Sequence, residues 1–255
     1  MEIHQPKPWD GWREFLKEVG TIVLGVLIAL SAEQIVESLH WRHKLERAEQ
    51  NMRAEQRDDD LPQAYVRAVG ALCYRDQLRR IRQLLDGPSP DRLQFEALVE
   101  AYGPPVRTWD AQAWGVAADS DVTSHMEPER RLQWAGVYNV MPRMQNLNYQ
   151  EDAILSRIKG VRRRAGPLSD TEAGDLSKDV ATLQALNATM AWDSMLLLAS
   201  AKNVGVEISP AARTQLDRVL HARLGECVIH PNSHVSTLDD GPLDPALPDG
   251  DVRIQ

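Results

Sequence analysis

The sequence predicts an all-α chain: one N-terminal membrane-spanning helix that continues into a helical stalk, then an antiparallel helical bundle. Three observations carry this expectation. The run Val19–Ala32 (VGTIVLGVLIALSA) holds no charge and has tryptophans beyond both ends. Outside it Leu, Ala, Arg, Glu and Gln dominate, with few β-branched runs, a composition that favours helices over strands. Glycine and proline fall mostly between apolar segments of helical period, as stops and starts. The 255 residues leave room for one domain of about 200 residues beyond the anchor, enough to bury a real core.

Residues 1–13 read as an interfacial segment and 14–38 as the span. The uncharged run alone falls short of the roughly 20 residues a helix needs to cross hydrocarbon. Phe15 and Leu16 extend it on one side, and Ile35, Val36 and Leu39 on the other. Trp9, Trp12 and Trp41 are the expected interfacial anchors, because an indole has an apolar body and a polar N–H. Lys17, Glu18 and Glu33 sit near the boundaries, where a lysine can snorkel toward water. A buried core helix and a cleaved signal peptide are the rival readings. The signal is disfavoured because the helical pattern runs on into charged sequence without a cleavage-type turn. Thr21, Gly25, Ala29 and Glu33 recur every four residues and share one face. Small residues so spaced let a second helix approach, in a partner or another copy of the chain, and chance is the competing explanation.

Residues 39–60 read as an exposed stalk, with Glu46 and Gln50, and Glu49 and Arg53, at supporting i,i+4 spacing. Asp58–Asp60 and Pro62 are expected to end it, with Asp60 capping the next helix. The bundle domain is placed at 61–230. Its first helix, about 61–86, carries Tyr65, Val69, Leu72, Cys73, Ile81, Leu84 and Leu85, and stops at Gly87-Pro88. Ser89-Pro90 is expected to start a short helix running to about Tyr102. Thr108 is expected to cap TWDAQAWGVAAD, which presents Trp109 and Trp114.

A long segment from Pro128 to about Arg164 places Leu132, Ala135, Tyr138, Met141, Ile154, Ile158 and Val161 at helical intervals. Pro142 should kink or split it. Ser169-x-x-Glu172 is a capping box for a helix at about 170–203, closed by Gly205, with Leu176, Val180, Leu183, Met190, Leu197 and Ala201 as its core stripe. Ser209-Pro210 opens a last helix carrying Leu216, Val219, Leu220 and Leu224, stopped by Gly225. Residues 231–255, rich in Pro, Gly and Asp, read as an irregular tail.

The net charge of -8 argues against nucleic acid as a partner, which demands a basic face. No phosphate-binding glycine loop, HExxH, CxxC or GxSxG is present, so neither a catalytic site nor a cofactor or metal site is expected. His230 and His234 flank Pro231 without other ligands at metal spacing and read as loop histidines; His40 and His43 read as interfacial polar residues. Arg162, Arg163 and Arg164 read as a helix end complementing the dipole. Trp109, Trp114, Trp134 and Trp192 read as buried bundle aromatics, with a pocket lining as the rival. Cys73 and Cys227 are either one disulfide closing a long loop or two buried thiols.

The stretch EFLKEVGTIVLGVLIALSAEQIVESLHWRHKLERAE, about Glu14–Glu49, resembles the N terminus of a broad group of uncharacterised bacterial single-span proteins (DUF6090-like). In these an apolar core of Gly, Ile, Leu and Ala precedes a tryptophan and a charged helix. The resemblance implies a layout and a bacterial origin, and no biochemical activity. The expected role is a membrane-anchored interaction or scaffold protein, an accessory subunit of a larger bacterial membrane complex, with the lipid bilayer and a membrane protein or second copy as partners. A ligand-sensing module on a stalk is the alternative, and a tethered enzyme of unrecognised type a third. Lys7, Arg13 and Lys17 on one side nearly balance Arg42, Lys44 and Arg47 on the other, so the positive-inside rule barely separates the two orientations. The preferred one is an inner-membrane protein with its soluble domain in the periplasm, partly because that compartment permits the disulfide.

Overall fold

The computed structural model describes residues 11–105, 108–161 and 166–228. Among them the elements are helical and no strand occurs. α1 runs Trp12–Glu55, passes through a π-helical turn at Gln56–Asp60 and continues as α2, Leu61–Leu85. Then come α3 (Arg92–Ala101), α4 (Gln112–Asp119), a 3₁₀ turn (Val122–His125), α5 (Pro128–Tyr138), α6 (Met141–Val161), α7 (Asp170–Asn203) and α8 (Pro210–Leu224), with a last 3₁₀ turn at Gly225–Cys227.

The bundle is organised on α2 and α7, which run antiparallel. Asn187 Nδ2 donates to the Ala71 carbonyl (3.1 Å), and Ser177 Oγ donates to Asp86 (2.7 Å), so positions rise along one helix as they fall along the other. α6 is antiparallel to α7 by the same reasoning, from the ion pairs Arg157–Asp179 and Arg143–Asp193. One core, around Trp134, Met141, Met144 and Leu197, lies where α1 enters the bundle. A second, around Leu78, Phe95, Ile158 and Leu183, lies at the far end. A small third cluster of Tyr65, Val69 and Leu220 seats α8.

Several local signals act as expected. Ser169 and Glu172 form the reciprocal capping box of α7. Ser209 accepts from the Ala212 N–H and Pro210 opens α8. Gly205 and Gly225 take positive φ (72° and 76°), which glycine tolerates at helix ends. The long segment from Pro128 splits at Asn139–Val140, leaving Pro142 in the first turn of α6, where its missing N–H costs nothing.

Other expectations are corrected. The stalk does not end at Asp58–Asp60: the helix continues, and Asp60 has helical φ/ψ (-80°, -44°) with no capping bond. The π-helical turn, in which the Leu61 N–H reaches back to the Gln56 carbonyl, widens the helix just before Pro62 and relieves the ring's clash with the preceding turn. Nor is 39–60 an exposed stalk throughout, since Met52, Gln56 and Asp60 are buried in the core. Thr108 does not cap α4; the cap position is Ala111, without a side-chain bond. α3 is capped by Asp91 rather than begun at Ser89. Leu132, Trp192 and Val219 are exposed instead of buried, because α5, α7 and α8 each turn that face outward.

Candidate functional site

The feature that separates this molecule from an ordinary helical bundle is the first half of α1. Each residue from Leu16 to His40 is exposed, and the helix is long and apolar enough to cross a membrane. Ile22, Leu24, Ile28, Ile35 and Val36 are each 59–67% exposed. A core helix of a soluble bundle would be covered by its neighbours, whereas here every residue of the segment stays exposed. Its two hydroxyls are satisfied within the helix: Thr21 Oγ1 donates to the Lys17 carbonyl (2.9 Å) and Ser31 Oγ to that of Leu27 (2.7 Å). Internal satisfaction is what hydrocarbon requires. Thr21, Gly25, Ala29 and Glu33 are all exposed, and the space beside Gly25 is open.

Trp12 and Trp41 bracket the segment. At 1.5 Å per residue they stand about 43 Å apart along the helix, close to the full thickness of a bilayer with its headgroups, about 40–45 Å. Trp12 is 72% exposed, whereas Trp41 is partly covered. The His125 ring stacks on Trp41 at 3.7 Å between centroids, and Lys44 Nζ lies 4.5 Å from the same indole. The 3₁₀ turn Val122–His125 and α4 therefore form a collar around α1 where the apolar segment ends. An open groove beside it is lined by Gln34, Ser38, Arg42 and His125. Trp9, Arg162–Arg164, His230, His234 and the tail lie outside the described residues.

Above the collar α1 is locked into the bundle. Glu49 accepts two bonds from the Arg130 guanidinium, Nε to Oε1 (2.9 Å) and Nη2 to Oε2 (3.0 Å), and a third from Arg53. These bonds, Arg130's first, hold the Glu49 carboxyl below its ordinary value despite partial burial. Arg53 and Arg130 also lie over the buried Trp134 ring, at 5.7 and 5.4 Å.

One turn further, acidic groups gather at the π-helical turn. Glu55 accepts from the Tyr138 hydroxyl and from the Ala113 N–H, both at 2.9 Å. That second bond supplies the cap that the start of α4 lacks locally. Asp60, 2% exposed, accepts from Gln56 Nε2 (2.9 Å). Burial, followed by the charges of Glu55, Asp110 and Asp59, pushes the Asp60 carboxyl up to about 8. Burial and Glu55 likewise raise the Tyr138 phenol. Among the described residues no group of His, Cys, Asp or Glu is arranged to hold a metal ion.

Cys73 and Cys227 form a disulfide, Cα–Cα 5.2 Å, joining α2 to the turn after α8. Of the four tryptophans named above, Trp109 and Trp134 are buried and Trp114 stacks on Tyr138, while Trp192 faces out. Sequence reasoning missed Gln56 and Asp60 as buried groups because an acidic run reads as a helix terminator. The available signal was the spacing Trp41, Leu45, Ala48, Met52, which continues without a break into Gln56.

No family model matches the chain, and neither a curated protein nor a solved structure does.

Proposed function

We propose that this chain is a single-span bacterial inner-membrane protein whose helical bundle serves as an interaction module held at the membrane surface. The observation that carries the reading is the apolar half of α1, uncovered on every side yet continuous with the helix that enters the bundle core. Full-length protein is expected in the membrane pellet after an alkaline carbonate wash. Release into the supernatant would refute a span. The N-terminal resemblance to bacterial single-span proteins supports the same layout. The disulfide supports a periplasmic bundle, since such bonds persist in oxidising compartments. No catalytic role is proposed.

Within this reading the partner is a membrane helix, from another protein or a second copy, docking along Thr21, Gly25, Ala29 and Glu33. Small side chains permit the close approach on which packing in lipid depends. Gly25→Ile fills open space in the isolated chain, so insertion should be unaffected. Crosslinked or co-purified partner is expected to fall severalfold. An unchanged yield would leave the stripe without a contact role.

A further inference from the structure

We propose that the π-helical turn Gln56–Asp60 is a proton-controlled break point: with Asp60 protonated the helix runs unbroken into α2, and with Asp60 ionised the turn opens and Asp60 becomes the N-cap of α2. Four observations support it. First, this is the single π-helical element among the described residues, and it joins α1 to α2 within the buried part of the bundle. Such turns inside α-helices recur at functional sites. Second, Asp60 is buried at 2% exposure and is in no ion pair among the described residues. The charged groups facing it are Glu55 from α1, Asp59 from the turn and Asp110 from the segment before α4. α5 brings the Tyr138 phenol and α6 the uncharged Met141, whose sulfur lies 3.9 Å from Gln56 Nε2. An ionised Asp60 would face these three acidic groups, opposed only in smaller measure by the Asp110 backbone N–H, which donates to its carboxyl.

Third, Gln56 Oε1 is buried with no donor. The Gln56 amide already gives its N–H to Asp60. A neutral acid carries an O–H that can be returned to the amide oxygen; a carboxylate has none. Fourth, Asp60-Leu61-Pro62 has the composition of a helix start, with an acidic cap and a proline in the first turn. The ionised side chain thus has a second place to go, accepting from the Gln63 N–H of the first turn of α2, since Pro62 has none. The closed turn is an alternative to that local preference, held by the surrounding bundle.

The direction of the pH effect follows from linkage. The closed form keeps the proton up to about 8, whereas a solvated aspartate loses it near 3.8. Closure is therefore fully favoured below about pH 4 and weakens as pH rises, levelling off above about 8. A one-proton linkage changes the opening constant about tenfold per pH unit across that window. Opening uncouples the direction of α2 from the part of α1 that Glu49 ties to Arg130 of α5.

The test uses the full chain in detergent with its disulfide intact. Amide exchange across residues 52–66, divided by the intrinsic rate at each pH, reports opening. In the wild type it should rise about tenfold per unit from about pH 5 to 8, while exchange in α7 stays flat. Asp60→Asn keeps a neutral side chain of the same shape and should remain protected throughout. Glu55→Gln removes a facing charge and should bring the plateau to lower pH. Infrared spectra of the wild type need no variant: a protonated-carboxyl band should be present at about pH 6 and vanish as the exchange plateau is reached. Flat wild-type exchange, an equal rise in Asp60→Asn, or no protonated-carboxyl band at about pH 6 overturns the proposal.

Discussion

Glu151→Ala is expected to destabilise the bundle by about 3–5 kcal/mol, among the largest losses available to a single substitution here. Glu151 and Arg67 are 2% and 1% exposed, and they face each other between α6 and α2. Arg67 Nη1 donates to Glu151 Oε1 at 3.1 Å, and Nη2 donates to Oε2 and to Asn148 Oδ1. The Tyr102 hydroxyl donates to Glu151 Oε1 at 3.1 Å. Removing the carboxylate leaves a permanently charged guanidinium in the core whose Nε already has no partner. The cost comes from that orphaned charge more than from the lost attraction. Replacing both partners, Arg67→Met with Glu151→Leu, removes the charge as well and is expected to lie within about 2 kcal/mol of the wild type, or above it. Thermal or denaturant unfolding of the full chain in mild detergent distinguishes the two. Equal losses in the single and double variants would show that volume rather than charge governs the site.

The second large effect is on the disulfide. Cys73 and Cys227 are 154 positions apart, so the bond closes a very long loop of the unfolded chain. The chain-entropy model gives about 5 kcal/mol for such a loop, with about 2–4 kcal/mol typical of measured cases. The physical weight falls on α8, which has one buried residue, Leu220, and a small contact cluster with Tyr65 and Val69. Its polar ties include the Tyr65 hydroxyl to Asp217 (2.5 Å), Arg213 Nε to the same hydroxyl (3.4 Å) with its guanidinium over the Tyr65 ring, and Arg223 Nη2 to the Gly103 carbonyl (2.6 Å). Reduction, or Cys73→Ser with Cys227→Ser, should lower stability by about 2–4 kcal/mol and release α8 to proteolysis before the α2–α7 pair. Unfolding with and without reductant, with limited proteolysis mapped to α8, checks both. Two thiols freely alkylated in quenched cells would remove the disulfide and with it the support for a periplasmic bundle.

The capping box at Ser169–Glu172, the start at Ser209-Pro210 and the stops at Gly205 and Gly225 could be read directly from the chain, because each acts through backbone groups within about four residues. So could the core stripe of α7, whose helical period survives intact from Leu176 to Ala201. The exposed apolar segment was equally legible, since lipid selects for composition along one helix and needs no partner. Asp60 was misread because its neighbours Asp58, Asp59 and Pro62 give a valid local stop signal that the bundle overrides. Whether an acid caps a helix or is buried within it depends on Glu55, Asp110 and Tyr138, two of which come from elements about 50 and 80 residues away.

The sequence by itself determined the helical class, the main starts and stops, and the presence of an apolar segment able to cross a membrane, because propensity, capping and hydropathy are local. Tertiary structure alone decided that α1 passes unbroken into α2, that Arg67 meets Glu151 in the core, that Cys73 lies beside Cys227, and that Trp192 faces outward. Each of these depends on which surfaces distant segments present to one another, and burial of charge is tolerated only where those segments supply the compensating partner.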